Sequence, residues 1–184
     1  MSETKLSISR SAMNYGGMTG IMLFLVFILS SILGTKFSGL MQVMGYAALG
    51  LGIFIGSKNF RDKELNGVIS YGTAFYSGFL ISFFASVIIA FTIFLYIKFV
   101  DSTIIEKIME QTEQNMLDSG KSDKEIEKAM EAAQYFMNPT SMAFFSILGY
   151  TFVGTLISLV TAAFIKKEHP NSGDSFNSFI QQNQ

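Results

Sequence analysis

Apolar residues fall in four long uncharged runs along this chain, and nearly every charged residue lies between them. No Asp, Glu, Lys, Arg or His interrupts the stretches from Arg10 to Lys36, Lys36 to Lys58, Glu64 to Lys98, or Glu131 to Lys166. A helix needs roughly 20 mainly apolar residues to cross a bilayer, and each run reaches that length. The pattern predicts spans over about 12–33, 37–57, 73–100 and 140–165. The first two are separated only by Gly34-Thr35-Lys36-Phe37-Ser38, so they are expected to be antiparallel neighbours. The third run exceeds one bilayer thickness and opens on the polar, glycine-rich Asn66 to Gly72, which places its buried part from Thr73. Pro139 suits the first turn of the fourth helix, whose apolar run ends at Ile165 before Lys166-Lys167. Lys5 and Arg10 ahead of Ile21 to Leu33 also have the layout of a signal peptide, but no small-x-small cleavage site follows.

The segment from residue 101 to 138 changes period and polarity. Ile104, Ile105, Ile108, Met109, Thr112 and Met116 share one helical face, with Glu106, Glu110, Glu113 and Gln114 opposite. Ser119-Gly120 is a helix stop, with Gly suited to the left-handed position after the last turn. Ser122-Asp123-Lys124-Glu125 then has capping-box spacing, and Ile126, Ala129, Met130, Ala133 and Met137 form a second apolar face. Two amphipathic helices are therefore expected, turned back on each other or lying on the membrane surface. The predicted fold class is an all-α integral membrane protein. Four transmembrane helices form a single domain over residues 1–170, with this hairpin between helices 3 and 4 and a disordered polar tail over 171–184.

Charge adds orientation. An even number of spans puts both termini on one side, with Lys5, Arg10, Lys58, Arg61, Lys63, Lys166 and Lys167. The other side holds Lys36, Lys98, Lys107, Lys121, Lys124 and Lys128, several of them well inside the long loop, where they weigh less in the positive-inside rule. Both termini are expected in the cytoplasm. The net charge of −1, with no basic stripe, argues against nucleic acid. The chain has 0 Cys, which excludes disulfides, thiol nucleophiles and Cys-ligated metals. With 0 Trp, anchoring at the membrane interface is expected to fall to Tyr15, Tyr96, Tyr150, Lys36, Lys98 and Lys166.

Small residues recur at four-residue spacing in every span. They are Ala12, Gly16 and Gly20; Ala48, Gly52 and Gly56; Ser70, Ala74, Gly78, Ser82, Ser86 and Ala90; and Gly154, Ser158 and Ala162. Lipid gives helices no hydrophobic reason to associate, so close packing through such ridges is the expected cohesion. The candidate helix-packing or partner interface is Gly16, Gly20, Gly52, Gly56, Ala74, Gly78, Ser82, Ser86, Gly154 and Ser158. The candidate apolar face of the hairpin is Ile104, Ile108, Ile126 and Met130.

Chemistry is sparse. The span interiors have no Asp, Glu, Lys, Arg or His, which removes the usual means of proton coupling and of intramembrane catalysis. Hydroxyls such as Thr92, Ser146, Thr155 and Ser158 can bond the preceding helical turn. The sole histidine, His169, lies just beyond the last span and suggests no metal centre or catalytic relay. The hairpin acids lack the Asp-x-Asp-x-Asp-Gly loop spacing of a calcium site. No catalytic residue, metal or cofactor is expected.

The start of span one, Ala12 to Gly16, resembles a family of small bacterial membrane proteins known as domain of unknown function 4199. So do Gly67 to Phe75, Met137-Asn138-Pro139 after the acidic hairpin, and the terminal Ala162-Ala163-Phe164-Ile165-Lys166-Lys167. The resemblance implies a four-helix inner-membrane protein of Bacteroidota-type bacteria with no established activity, and an association with family-2 glycosyltransferases. Three functional readings follow. The first is a non-enzymatic inner-membrane scaffold or accessory subunit, binding a membrane protein partner through bundle and extracytoplasmic hairpin. The second is an oligomeric small channel or a lipid or solute carrier. The third is an accessory to a polyprenyl-phosphate glycosyltransferase.

Overall fold

The structure is a computed structural model, described over residues 2–33 and 38–167. Six helices follow in order: α1 Ser2–Leu33, α2 Ser38–Glu64, α3 Tyr71–Phe99, α4 Ile104–Asp118, α5 Asp123–Phe136 and α6 Pro139–Ile165. Four of them, α1, α2, α3 and α6, are long and apolar enough to cross a membrane, so this is an all-helical membrane protein. The tail over 171–184, His169 and the Gly34–Phe37 connection lie outside the described residues.

Helices α1 and α2 extend beyond their expected spans at the charged end, α1 beginning at Ser2 and α2 running to Glu64. Charge ends the apolar run but not the backbone ladder: Lys58, Arg61 and Lys63 continue α2 as ordinary helix formers. Asn66, at φ 51, and Gly67, at φ 83, then turn the chain, and the Gly67 N–H closes the turn on the Arg61 carbonyl at 2.9 Å. Ser70 is the N-cap of α3, its hydroxyl accepting from the Thr73 N–H at 3.3 Å. It is exposed, so the buried ridge of α3 begins one turn later, at Ala74. Asn138 caps α6 in the same way, accepting from the Ser141 N–H at 2.9 Å, with Pro139 at the first helical position.

Helix α3 packs on all three other spans, and α1 and α6 flank the α2–α3 pair on opposite sides. The ridges account for this arrangement. Along α3 and α6, Gly78 faces Ser158 and Gly154 faces Ser82. The contact therefore steps four residues forward on one helix and four back on the other. Each glycine makes room for a serine. Each serine hydroxyl is turned to its own backbone, Ser82 donating to Phe79 O at 2.8 Å and Ser158 to Gly154 O at 2.6 Å. Two helices thus meet closely with both of these hydroxyls satisfied. On the other side of α3, a Cβ on Gly16 would lie 2.6 Å from Phe84 Cβ and 2.9 Å from the Ile81 carbonyl oxygen, and one on Gly20 would lie 2.7 Å from Ile88 Cβ. Gly52 receives Thr19, and Gly56 receives Tyr15 and Ile81. Ala74, Ser82, Ser86 and Ser158 are all at or below 2% exposure, so the ridge residues face other helices of the same chain.

The charged end is pinned. Ile69 and Lys167 exchange two backbone hydrogen bonds, of 2.9 and 3.0 Å, tying the α2–α3 turn to the chain just after α6. Arg61 donates to the Ile165 carbonyl at 3.0 Å, satisfying an orphan acceptor at the end of α6. Ile8, Phe60, Ile69, Ala74, Ala162 and Ile165 fill the space beneath. The tyrosines expected as interface anchors are divided. Tyr15 and Tyr150 pack against the main core, Tyr150 beside Tyr46 at a ring separation of 6.3 Å. Tyr96, near the end of α3, stacks edge-on against Phe27 and hydrogen-bonds Ser31. A Cβ on Gly45 of α2 would lie 4.0 Å from the Tyr150 hydroxyl oxygen.

A candidate docking hairpin

Helices α4 and α5 pack against each other and make no substantial contact with the four long helices. They stand on two short hinges. At the first, Asp101 accepts from the Thr103 N–H at 3.0 Å, the Thr103 hydroxyl at 2.6 Å and the Lys107 ammonium at 3.0 Å. These bonds, the Thr103 hydroxyl first, hold the Asp101 carboxyl below its ordinary range. At the second, Phe136 packs on Phe145 of α6 at 6.1 Å.

The turn between α4 and α5 is a Schellman close. Gly120 sits at φ 71, its N–H donates to Leu117 O at 2.9 Å, and the Lys121 N–H donates to Met116 O at 3.1 Å. Helix α5 then begins with the Glu125 carboxylate taking both the Ser122 N–H at 3.0 Å and the Ser122 hydroxyl at 2.8 Å. These two bonds, the backbone one first, and then nearby Lys121, hold the Glu125 carboxyl below its ordinary value. A depressed carboxyl stabilises the fold fully above its unfolded value, and that contribution is lost as pH falls through the folded value. Protection of the first amides of α5 against hydrogen exchange, corrected for intrinsic rates, is therefore expected to weaken on acidification below about pH 4.5. In Glu125→Gln this pH dependence should vanish; an unchanged profile would assign it to another group.

In α4, Ile104, Ile105, Ile108, Met109, Thr112 and Met116 are half-covered and every other residue is exposed. In α5, Ile126 is buried, Ala129, Met130 and Ala133 are half-covered, and the remainder is exposed. The seam between the helices thus covers the apolar faces only in part. Two grooves run along it. One, of about 630 Å³, is lined by Glu113, Leu117, Asp123, Ile126, Glu127, Met130, Glu131 and Gln134. The other, of about 370 Å³, is lined by Ile105, Glu106, Met109, Glu110, Glu113, Met130, Gln134 and Met137. Glu113, Met130 and Gln134 belong to both, so the grooves meet along one wall.

The charges are sorted as well. Glu106, Glu110, Glu113, Asp123, Glu127 and Glu131 line the grooves, whereas Lys107, Lys121, Lys124 and Lys128 line neither. The sequence shows the acids but not this sorting, because it depends on how the two helices are rotated about each other. Nor do the acids converge: among the described residues no group of three His, Cys, Asp or Glu comes together as metal ligands would. The groove floor is Met and Ile, flexible and polarizable side chains that adapt to different apolar shapes.

A four-helix membrane bundle carrying a detached amphipathic hairpin is a membrane protein of defined architecture, and sequence comparison places it further. The profile described as "Protein of unknown function (DUF4199)" matches residues 14–167, and the chain belongs to that family. No curated protein and no solved structure matches it.

Proposed function

We propose that this chain is a non-enzymatic accessory subunit of the bacterial inner membrane. In this reading both termini are cytoplasmic, and the hairpin holds a partner protein outside. The observation that carries it is the hairpin groove, with an apolar floor of Ile105, Met109, Ile126 and Met130 and an acidic rim without a lysine. The matching occupant is an amphipathic helix whose apolar side chains enter the groove and whose Lys and Arg meet the rim. The ridges are a less suitable partner surface, because helices of the same chain already occupy them.

The test is purification from native membranes in mild detergent, with photo-crosslinkers placed at Met109 and Met130. The expected product is one stoichiometric partner, crosslinked through a basic amphipathic segment. Its yield should fall about tenfold or more in Glu106→Lys/Glu110→Lys/Glu113→Lys, since juxtaposed like charges cost several kcal/mol. A pure homo-oligomer that conducts solute or lipid in liposomes would replace this reading with a channel or carrier. A glycosyltransferase as the crosslinked partner would specify the accessory role.

A further inference from the structure

At the opposite end from the hairpin, a cleft of about 800 Å³ opens between the first turns of α1 and the last turns of α2. Arg10 and Lys63 line it, together with Ser9, Ser11, Asn14 and Asn59. These groups offer many hydrogen-bond donors. The one acid present, Glu64, already accepts from the Ser7 hydroxyl at 2.9 Å. Among the described residues neither Arg10 nor Lys63 forms an ion pair, whereas adjacent Arg61 is committed to Asp62 and to the Ile165 carbonyl. Among the described residues the cleft therefore holds two cations against one anion.

Its depth is as informative as its charge. Arg10 is the last charged residue before the first uncharged run, and Lys63 lies about one and a half turns beyond Lys58, where the second run ends. The cleft thus stands where α1 and α2 leave the hydrocarbon. Met13, which also lines it, is 56% exposed and offers an apolar flank on the membrane side. A cationic, donor-rich wall with an apolar flank at this level matches a phosphate diester carrying acyl chains.

We infer that this cleft binds the phosphate headgroup of an anionic membrane phospholipid. The guanidinium of Arg10 and the ammonium of Lys63 bear on the phosphate. Asn14 and Asn59 donate to its remaining oxygens, and the first acyl carbons lie along Met13. This site is separate from the hairpin and does not depend on the docking function proposed for it.

The full chain, reconstituted in nanodiscs of phosphatidylcholine with a minor fraction of phosphatidylglycerol, provides the test, with retained lipid counted by native mass spectrometry. The expected result is enrichment of phosphatidylglycerol on the wild-type protein, falling about tenfold in Arg10→Gln/Lys63→Gln and unchanged in Lys58→Gln. Asn59→Asp, which places a negative charge in the cleft and removes no cation, should weaken retention in the same direction. That second variant keeps the test decisive if the double one misfolds. Equal losses in Lys58→Gln would overturn the inference in favour of diffuse surface attraction. So would displacement of the lipid by millimolar inorganic phosphate, which would mark a site for free phosphate. Unchanged retention in both cleft variants would also overturn it.

Discussion

Replacing Gly78 and Ser82 with leucine will separate α6 from α3 and leave a chain that no longer assembles as a stable bundle. A Cβ on Gly78 alone would come within 2.5 Å of Ser158 Oγ and 2.9 Å of Ile53 Cγ2, and Ser82 fills the space that Gly154 leaves open. Leucine at either point cannot be absorbed by rotating one side chain, because the opposing atoms belong to residues packed against a third helix, α2, through Ile53. Overpacking of a filled core costs about 1–3 kcal/mol per site, and here two sites share one seam. Lipid also gives separated helices no hydrophobic penalty to oppose their parting. Gly17 and Gly149 are the internal controls. A Cβ at either meets nothing within 4 Å, so Gly17→Leu and Gly149→Leu should leave the bundle intact. Thermal unfolding in detergent, followed by size-exclusion profile, reads the difference. A G78L/S82L protein that melts with the wild type would show that the α3–α6 seam is not the principal contact.

Excising the hairpin will do the opposite, preserving the bundle while abolishing partner capture. Replacing residues Asp101 to Met137 with a short Gly/Ser loop keeps the caps Val100 and Asn138 and removes α4 and α5, which have no substantial contact with the spans. The ends left behind belong to α3 and α6, antiparallel neighbours along a shared ridge, and a short connection is the usual link for such a pair. The shortened chain should therefore melt within a few degrees of the intact one, since surface changes remote from packing usually shift stability by only about 0.5 kcal/mol. Loss of the crosslinked partner is the accompanying result. A shortened chain that unfolds at much lower temperature would mean that the hairpin braces the bundle. One that still captures the partner would place the docking surface on the spans.

The helical spans were legible from charge alone, because ionisable groups are costly inside hydrocarbon and so mark its limits. The helix limits were less legible at the charged end. Lys58, Arg61 and Lys63 leave the membrane without leaving the helix, and helix propensity does not distinguish the two events. Four-residue spacing marked the ridges but not their partners. That Gly78 should meet Ser158, and Gly154 meet Ser82, depends on the relative height of two helices separated by a 39-residue excursion from Val100 to Asn138. The Ile69–Lys167 pairing is made by backbone atoms and leaves no trace in residue type. In the hairpin, the face from Ile104 to Met116 followed directly from helical periodicity. Its detachment did not, because an amphipathic face has the same pattern whether a bundle, a bilayer or a partner covers it. The cleft at Arg10 and Lys63 went unread, since cations beside a span register as orientation signals long before they register as ligands.

The bond pair between Ile69 and Lys167 also bears on how the molecule is made. Lys167 follows the last membrane helix, so the latch closes only after that helix has been synthesised and laid beside α3. During translation the first three helices emerge without it. Until α6 arrives, lipid tails rather than Gly154 and Ser158 lie against the ridge from Ala74 to Ser86. The hairpin is synthesised in that interval, and it belongs to the end of the bundle opposite the latch. The molecule thus has an inherent order of birth, in which its hairpin is complete before its frame is locked.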